Sequence, residues 1–183
     1  SKQKGAAFER SVCKALSMWL SDGRREDLFW RSAMSGGRAT IRSRKGRRDA
    51  AGQSGDVQAI DPLGHALTDK FLMECKFHRS LDLGKIVYGR GRLWRFWKEV
   101  CGAADEIGKS PMIFARENRG QLLVCVDGPG AARLALGPAA CTARGAGGTW
   151  MSIYMAKDVL TSEHADIIRQ RAQHGQAAVD SDC

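Results

Sequence analysis

The sequence contains no run of eighteen or more apolar residues, so it offers no membrane-spanning helix. Its basic, polar start does not read as a secretory signal. A first residue Ser1 in place of Met is what a trimmed chain would show. The six cysteines (Cys13, Cys75, Cys101, Cys125, Cys141 and Cys183) form no CxxC or CxxH pair, which argues against a disulfide framework and against a zinc ribbon. Cys75 and His78 would need a second pair near them in sequence to hold zinc, and none stands there. Most of the cysteines lie in apolar periodic runs, as reduced, packed thiols of a cytoplasmic, intracellular protein do. There is no internal repeat, and no acidic residue stands between Arg31 and Arg48.

What is present fits one domain, or one domain with a tail: 183 residues, 43% hydrophobic, enough to bury a real core. The formal charge of +9 and the pI near 9.6 favour a polyanionic partner. That charge is concentrated in Arg31, Arg38, Arg42, Arg44, Lys45, Arg47 and Arg48. Charge runs are often only solvated surface. This one leads directly into a carboxylate-bearing stretch, which favours nucleic acid. Residues 35–55, rich in Gly, Ser and Arg, read as a long connection that orders on DNA through arginine–phosphate pairs.

The stretch 54–79 organises the rest. Two short apolar runs flank Asp61-Pro62-Leu63-Gly64, which reads as a turn within a β-hairpin or between two neighbouring strands. Alternation puts Leu72, Glu74 and Lys76 on one face of the second strand and Phe71, Met73 and Cys75 on the other. Asp56 reaches the same place from the preceding strand. Two carboxylates and an ammonium at a sheet end suit a divalent cation and water-handling chemistry on phosphodiesters.

Upstream, residues 5–20 read as a helix whose apolar arc is formed by Phe8, Val12, Cys13, Ala15, Leu16, Trp19 and Leu20. Glu9 falls inside that arc, where a carboxylate needs a partner, a metal ion or access to water. Asp22-Gly23 ends the helix, and Leu28–Met34 reads as a strand. Downstream, 81–92 is a link ending in Gly-Arg-Gly-Arg, with Arg90 and Arg92 as phosphate contacts. Residues 93–107 form a second helix, with Trp94 beside its apolar stripe. Residues 111–116 and 121–126 read as a hairpin, 127–149 as a loop, and 150–155 as a strand. A short helix starts near Thr161, and 174–183 is expected to fray.

This order, with Asp56, seventeen intervening residues and then Glu74-Cys75-Lys76, resembles the PD-(D/E)xK nuclease superfamily over roughly residues 4–126. Gly55 stands where the superfamily usually has proline. The resemblance implies an α/β, restriction-endonuclease-like αβββαβ core with a mixed central sheet flanked by helices. It places that core at 1–126, including the basic loop 35–55, with 127–183 as a C-terminal extension packed on it.

Lys4-Gly5-Ala-Ala-Phe-Glu9-Arg10 and Arg31-Ser32-Ala-Met-Ser35-Gly36-Gly37 further resemble segments of archaeal-type Holliday-junction resolvases. By that resemblance Glu9, Asp56 and Glu74 hold Mg²⁺, with Mn²⁺ as a substitute, and Lys76 orients or activates water. Ser35, or Ser32, assists near the scissile phosphate. Lys4, Arg10, Arg31, the arginines of the loop, Arg90 and Arg92 contact DNA. The expectation is a homodimeric, nucleoid-associated endonuclease favouring branched DNA. A less selective endo- or exonuclease, and a non-catalytic DNA-binding module, are the alternatives.

Overall fold

The computed structural model describes residues 2–32, 55–145 and 148–180, with the backbone alone for residues 2 and 174–180. Helix α1 spans Lys2–Leu20. Its buried stripe is Phe8, Val12, Cys13, Leu16 and Leu20, the three- and four-residue recurrence of one helix face. It stops where Asp22 and Gly23 turn left-handed (φ 57° and 76°) and Gly23 N–H returns to the Met18 carbonyl at 2.7 Å, closing the last turn. Strand β1 (Phe29–Arg31) pairs antiparallel with β2 (Val57–Ala59) in a two-stranded sheet.

Of the two readings of 54–79, a hairpin or two neighbouring strands, the chain takes the second. Asp61 accepts a hydrogen bond from Leu63 N–H at 2.9 Å, capping a 3-10 turn at Pro62–Gly64 that runs into the short helix α2 (His65–Thr68). A side-chain cap and a proline at its first position convert the sequence turn into a helical one. Strand β3 (Phe71–His78) follows. It is a neighbour of β2 rather than its ladder partner: β2 pairs with β1, and just before β2 the Asp56 N–H bonds the Met73 carbonyl at 2.8 Å.

A second 3-10 turn, Leu83–Tyr88, leads into helix α3 (Arg92–Asp105). Strand β4 (Ser110–Glu117) then runs parallel to β3, and β5 (Leu123–Val126) antiparallel to β4. The expected loop at 127–149 contains structure instead: helix α4 (Gly128–Arg133) and strand β6 (Cys141–Arg144). Asp127 starts α4 by accepting from Gly130 N–H at 2.6 Å. Strand β7 (Trp150–Met155), helix α5 (Ala156–Val159) and helix α6 (Ser162–Asp180) complete the chain. Helix α6 is longer than the short one expected and runs well into the segment expected to fray.

The result is a mixed five-stranded sheet of order β3-β4-β5-β7-β6 with helices on both faces. One apolar layer joins α1 to Phe71, Met73 and Cys75 of β3, and to Ile168 of α6. The other joins α3, through Leu93, Trp94, Trp97, Val100 and Ala104, to Leu72, Ile113 and Ile153. Trp94 therefore belongs to the core. Two long-range bonds tie α6 to α1: Trp19 Nε1 donates to the Thr161 carbonyl at 2.7 Å, and Arg169 to the Leu20 carbonyl at 2.9 Å. The expected alternation of β3 holds, and it lies at the sheet edge. No helix among the described residues is long and apolar enough to cross a membrane.

Candidate active site

The polar face of β3 at the sheet edge is where the expected carboxylates meet. Gly55 brings the chain there. Its φ is +96°, and a Cβ on it would stand 2.7 Å from the Met73 carbonyl oxygen. Neither proline, fixed near −65°, nor any residue with a side chain fits that approach without strain. The departure from Pro-Asp is thus a different backbone route to the same aspartate.

Asp56 is the only buried carboxyl among the described residues, at 8% exposure. Its Oδ2 accepts a hydrogen bond from Cys75 N–H at 2.8 Å, and its own carbonyl accepts from Ser32 N–H at 2.9 Å. Burial, and then the nearby Glu74 carboxylate, push the Asp56 pKa up to about 7; the Cys75 N–H and Lys76 pull the other way. Glu74 projects from the same face of β3 as Lys76, and Lys76 Nζ donates to Glu74 Oε2 at 2.6 Å. Burial works against the charge on Lys76. Glu74, by charge and hydrogen bond, and Asp56 behind it nevertheless hold its pKa above the ordinary lysine value.

Glu9 sits on α1, 14% exposed, with its Oε2 2.8 Å from Arg31 Nε on β1. Its charge reaches Asp56 as the smallest contribution to that carboxyl's raised pKa. Among the described residues no group of three His, Cys, Asp or Glu side chains gathers to hold a metal ion. The structure therefore brings Asp56, Glu74 and Lys76 together and leaves Glu9 beside Arg31. Arg31, expected on DNA, has its guanidinium turned to Glu9.

Lys4, Arg10 and Arg90 are exposed. Arg92 is half-buried and donates to the Ser80 carbonyl at 3.2 Å. Ser32 is buried. Ser35, Arg38, Arg42, Arg44, Lys45, Arg47 and Arg48 lie outside the described residues. The Cys75 thiol behind the site is held well above its usual pKa, first by burial and then by Asp56, which makes it packing rather than a nucleophile.

A neighbouring group involves His78, which the sequence raised only as a zinc ligand with Cys75. His78 continues the alternation that carries Glu74 and Lys76, and its ring lies 5.0 Å from that of Phe96 on α3. Lys76 Nζ and Arg95 Cζ stand 5.5 and 5.7 Å from the same Phe96 ring. The period-two pattern, extended one step past Lys76, was the available signal. Phe96 was hidden by its place in the α3 apolar stripe.

The donor set is all oxygen. A carboxyl whose pKa is raised first by burial and then by a neighbouring carboxylate suits a hard divalent cation, whose charge favours the ionised form of both. Two suffice for Mg²⁺, which commonly keeps several waters and takes one or two carboxylates together with substrate phosphate oxygens.

A mixed sheet with flanking helices, Glu74 and Lys76 on its edge strand and Asp56 reaching them from the residue before β2, is an arrangement compatible with the PD-(D/E)xK nuclease superfamily. The family model described as "Phage putative PDDEXK endonuclease" matches residues 1–132, and the chain belongs to that family. No curated protein and no solved structure matches it.

Proposed function

We propose that the protein is a Mg²⁺-dependent endonuclease that hydrolyses DNA phosphodiesters at the Asp56–Glu74–Lys76 site. The observation that carries this reading is the pairing of a buried, proton-retaining Asp56 with Glu74 and a charged Lys76 on one strand face. Asp56 and Glu74 would hold the ion, with Mn²⁺ as a substitute and Glu9 as an outer carboxylate. The ion, when bound, supplies charge neutralisation at the phosphate and a more acidic water.

The chain's own groups do the rest. The Cys75 N–H fixes the Asp56 carboxylate and leaves its second oxygen for the site. Glu74 holds the Lys76 ammonium at the reacting edge, where it orients water and offsets negative charge developing on the phosphate. Exposed Lys4, Arg10 and Arg90 would meet the DNA backbone, together with the arginines of 38–48, and Ser35 would assist at the phosphate. A homodimer acting on branched DNA is the form favoured here, because paired cuts need two sites. This rests on the resemblance of the Lys4–Arg10 and Arg31–Gly37 segments to junction resolvases.

The test is cleavage of a labelled four-way junction beside a linear duplex of the same arms, with Mg²⁺, Mn²⁺ or EDTA. Symmetric nicks at the junction, lost in Glu74→Ala, are the expected result. Equal cutting of both substrates would keep the nuclease and discard the junction. Absence of metal-dependent cutting, with salt-sensitive binding, would leave a DNA-binding module.

A further inference from the structure

We propose that His78 and Arg95, arranged around Phe96, form a subsite for a DNA phosphate flanking the one that is cut. The assignment rests on the Asp56–Glu74–Lys76 reading of the scissile position. Same-face residues on a strand are about 6.6–6.8 Å apart, so His78 lies two such steps, about 13 Å, from Glu74. One phosphate cannot touch both. A substrate strand following the edge of β3 would therefore present a neighbouring phosphate at His78.

The surrounding charge favours an anion there. Burial, and then the positive charges of Arg92, Lys76 and Arg95, lower the His78 pKa, so three cations surround the ring. Arg95 is exposed and forms no ion pair among the described residues, while Arg92 spends its guanidinium on the Ser80 carbonyl. The nearby acids are engaged elsewhere. Glu117 accepts from Leu81 N–H. Asp82 lies 3.7 Å from Lys85 Nζ and accepts from Arg92 N–H at 3.2 Å.

That last bond also decides where the anion sits. The amino-terminal end of α3 would ordinarily attract phosphate, but the Asp82 carboxylate already occupies it. The open positive charge is displaced to the side chain of Arg95, with the His78 imidazole, its pKa lowered first by burial and then by the surrounding cations, beside it as a neutral N–H donor. Phe96 holds the cationic group of Arg95 over its ring, which reduces the ordering cost of a phosphate contact.

The test uses the full chain and a fluorescein-labelled short duplex. Binding is measured in EDTA by anisotropy across a salt series, and KM and kcat are measured in Mg²⁺. The variants are Arg95→Gln, Arg95→Lys, His78→Gln and the site control Asp56→Asn. Arg95→Gln is expected to weaken binding about five- to tenfold on any sequence and to reduce the salt slope by about one. It should raise KM correspondingly, with kcat changed less than about twofold. Arg95→Lys should recover most of the slope, and His78→Gln should weaken binding by a smaller factor.

Unchanged binding and slope in Arg95→Gln and His78→Gln would overturn the subsite. So would a fall in kcat with an unchanged slope, because the cluster would then only brace Lys76. Failure of wild type to cut in Mg²⁺ or Mn²⁺ would sink the nuclease reading separately, since the EDTA binding arm still decides the subsite.

Discussion

Two acid–base pairs flank the edge strand, and they differ in kind. Glu74 and Lys76 come from one strand, two residues apart, and meet at 2.6 Å beside buried Asp56. Glu9 and Arg31 come from α1 and β1 and meet at 2.8 Å, joining two separate elements. The first pair crowds a second carboxylate and shifts its proton affinity. The second ties a helix to a strand and exerts only a minor effect on Asp56. Similar distances therefore mark different surroundings: one pair concentrates charge beside a buried carboxyl at the proposed reacting edge, and the other joins a helix to a strand.

The comparison breaks most sharply under substitution of the reacting side. Asp56→Asn and Glu74→Ala should each lower kcat at least about a thousandfold, roughly 4 kcal/mol of barrier, with duplex binding in EDTA nearly unchanged. Lys76→Ala should follow within about tenfold of them. Steady-state cleavage with anisotropy alongside checks this, and near-normal turnover by folded Glu74→Ala would dissolve the distinction between the pairs.

Next in size is the proton on Asp56. Its folded pKa of about 7 lies above the ordinary 3.8, so between those values the folded state binds more protons than the unfolded one. Stability without metal should then be greatest below about pH 4 as far as this group is concerned. It should fall as pH rises to about 7, by on the order of 2–4 kcal/mol. Denaturant titrations in EDTA at pH 5 and 8 should show that slope in wild type and its loss in Asp56→Asn. Saturating Mg²⁺ should offset most of it at pH 8, because a ligand of the folded state stabilises that state.

Backbone placement comes third. Gly55→Ala meets both a positive φ and the Met73 carbonyl, and should cost about 1–3 kcal/mol while displacing Asp56 and reducing cleavage. Equilibrium unfolding read beside turnover would show whether both fall together. The smallest effect belongs to the second pair: Arg31→Gln should cost about 1 kcal/mol of stability and change kcat less than tenfold. A loss as deep as that of Glu74→Ala would make the two pairs equivalent.

The site was legible where strand alternation sufficed. Period two placed Glu74 and Lys76 together, and the D…ExK spacing brought Asp56 to them. Glu9 was legible as an inward carboxylate, but its Arg31 contact depends on how β1 docks on α1, which spacing does not encode. In the fold, α1, β3, α3, β4, β5 and β7 announced themselves through long apolar periods. Helix α4 did not, because Gly-Pro-Gly-Ala-Ala carries almost no hydrophobic pattern, and its signal was the Asp127 cap. Strand β6 buries Ala143 alone among its four residues, too little for alternation to register. The Asp61–Gly64 segment misled because proline and glycine mark turns and helix starts alike.

The sheet order carries a lesson for anyone trimming this chain. The family match ends at residue 132, and Glu9, Asp56, Glu74 and Lys76 all precede that point. Yet β5 is buried along its whole length and hydrogen-bonds β7 on the side away from β4. A fragment stopped at 132 would keep the proposed site residues and bare a greasy, unpaired strand border that other copies could zip onto. The residues after 132 thus cover, through β7, a strand border of the carboxylate-bearing part that would otherwise stand open to pairing with other chains.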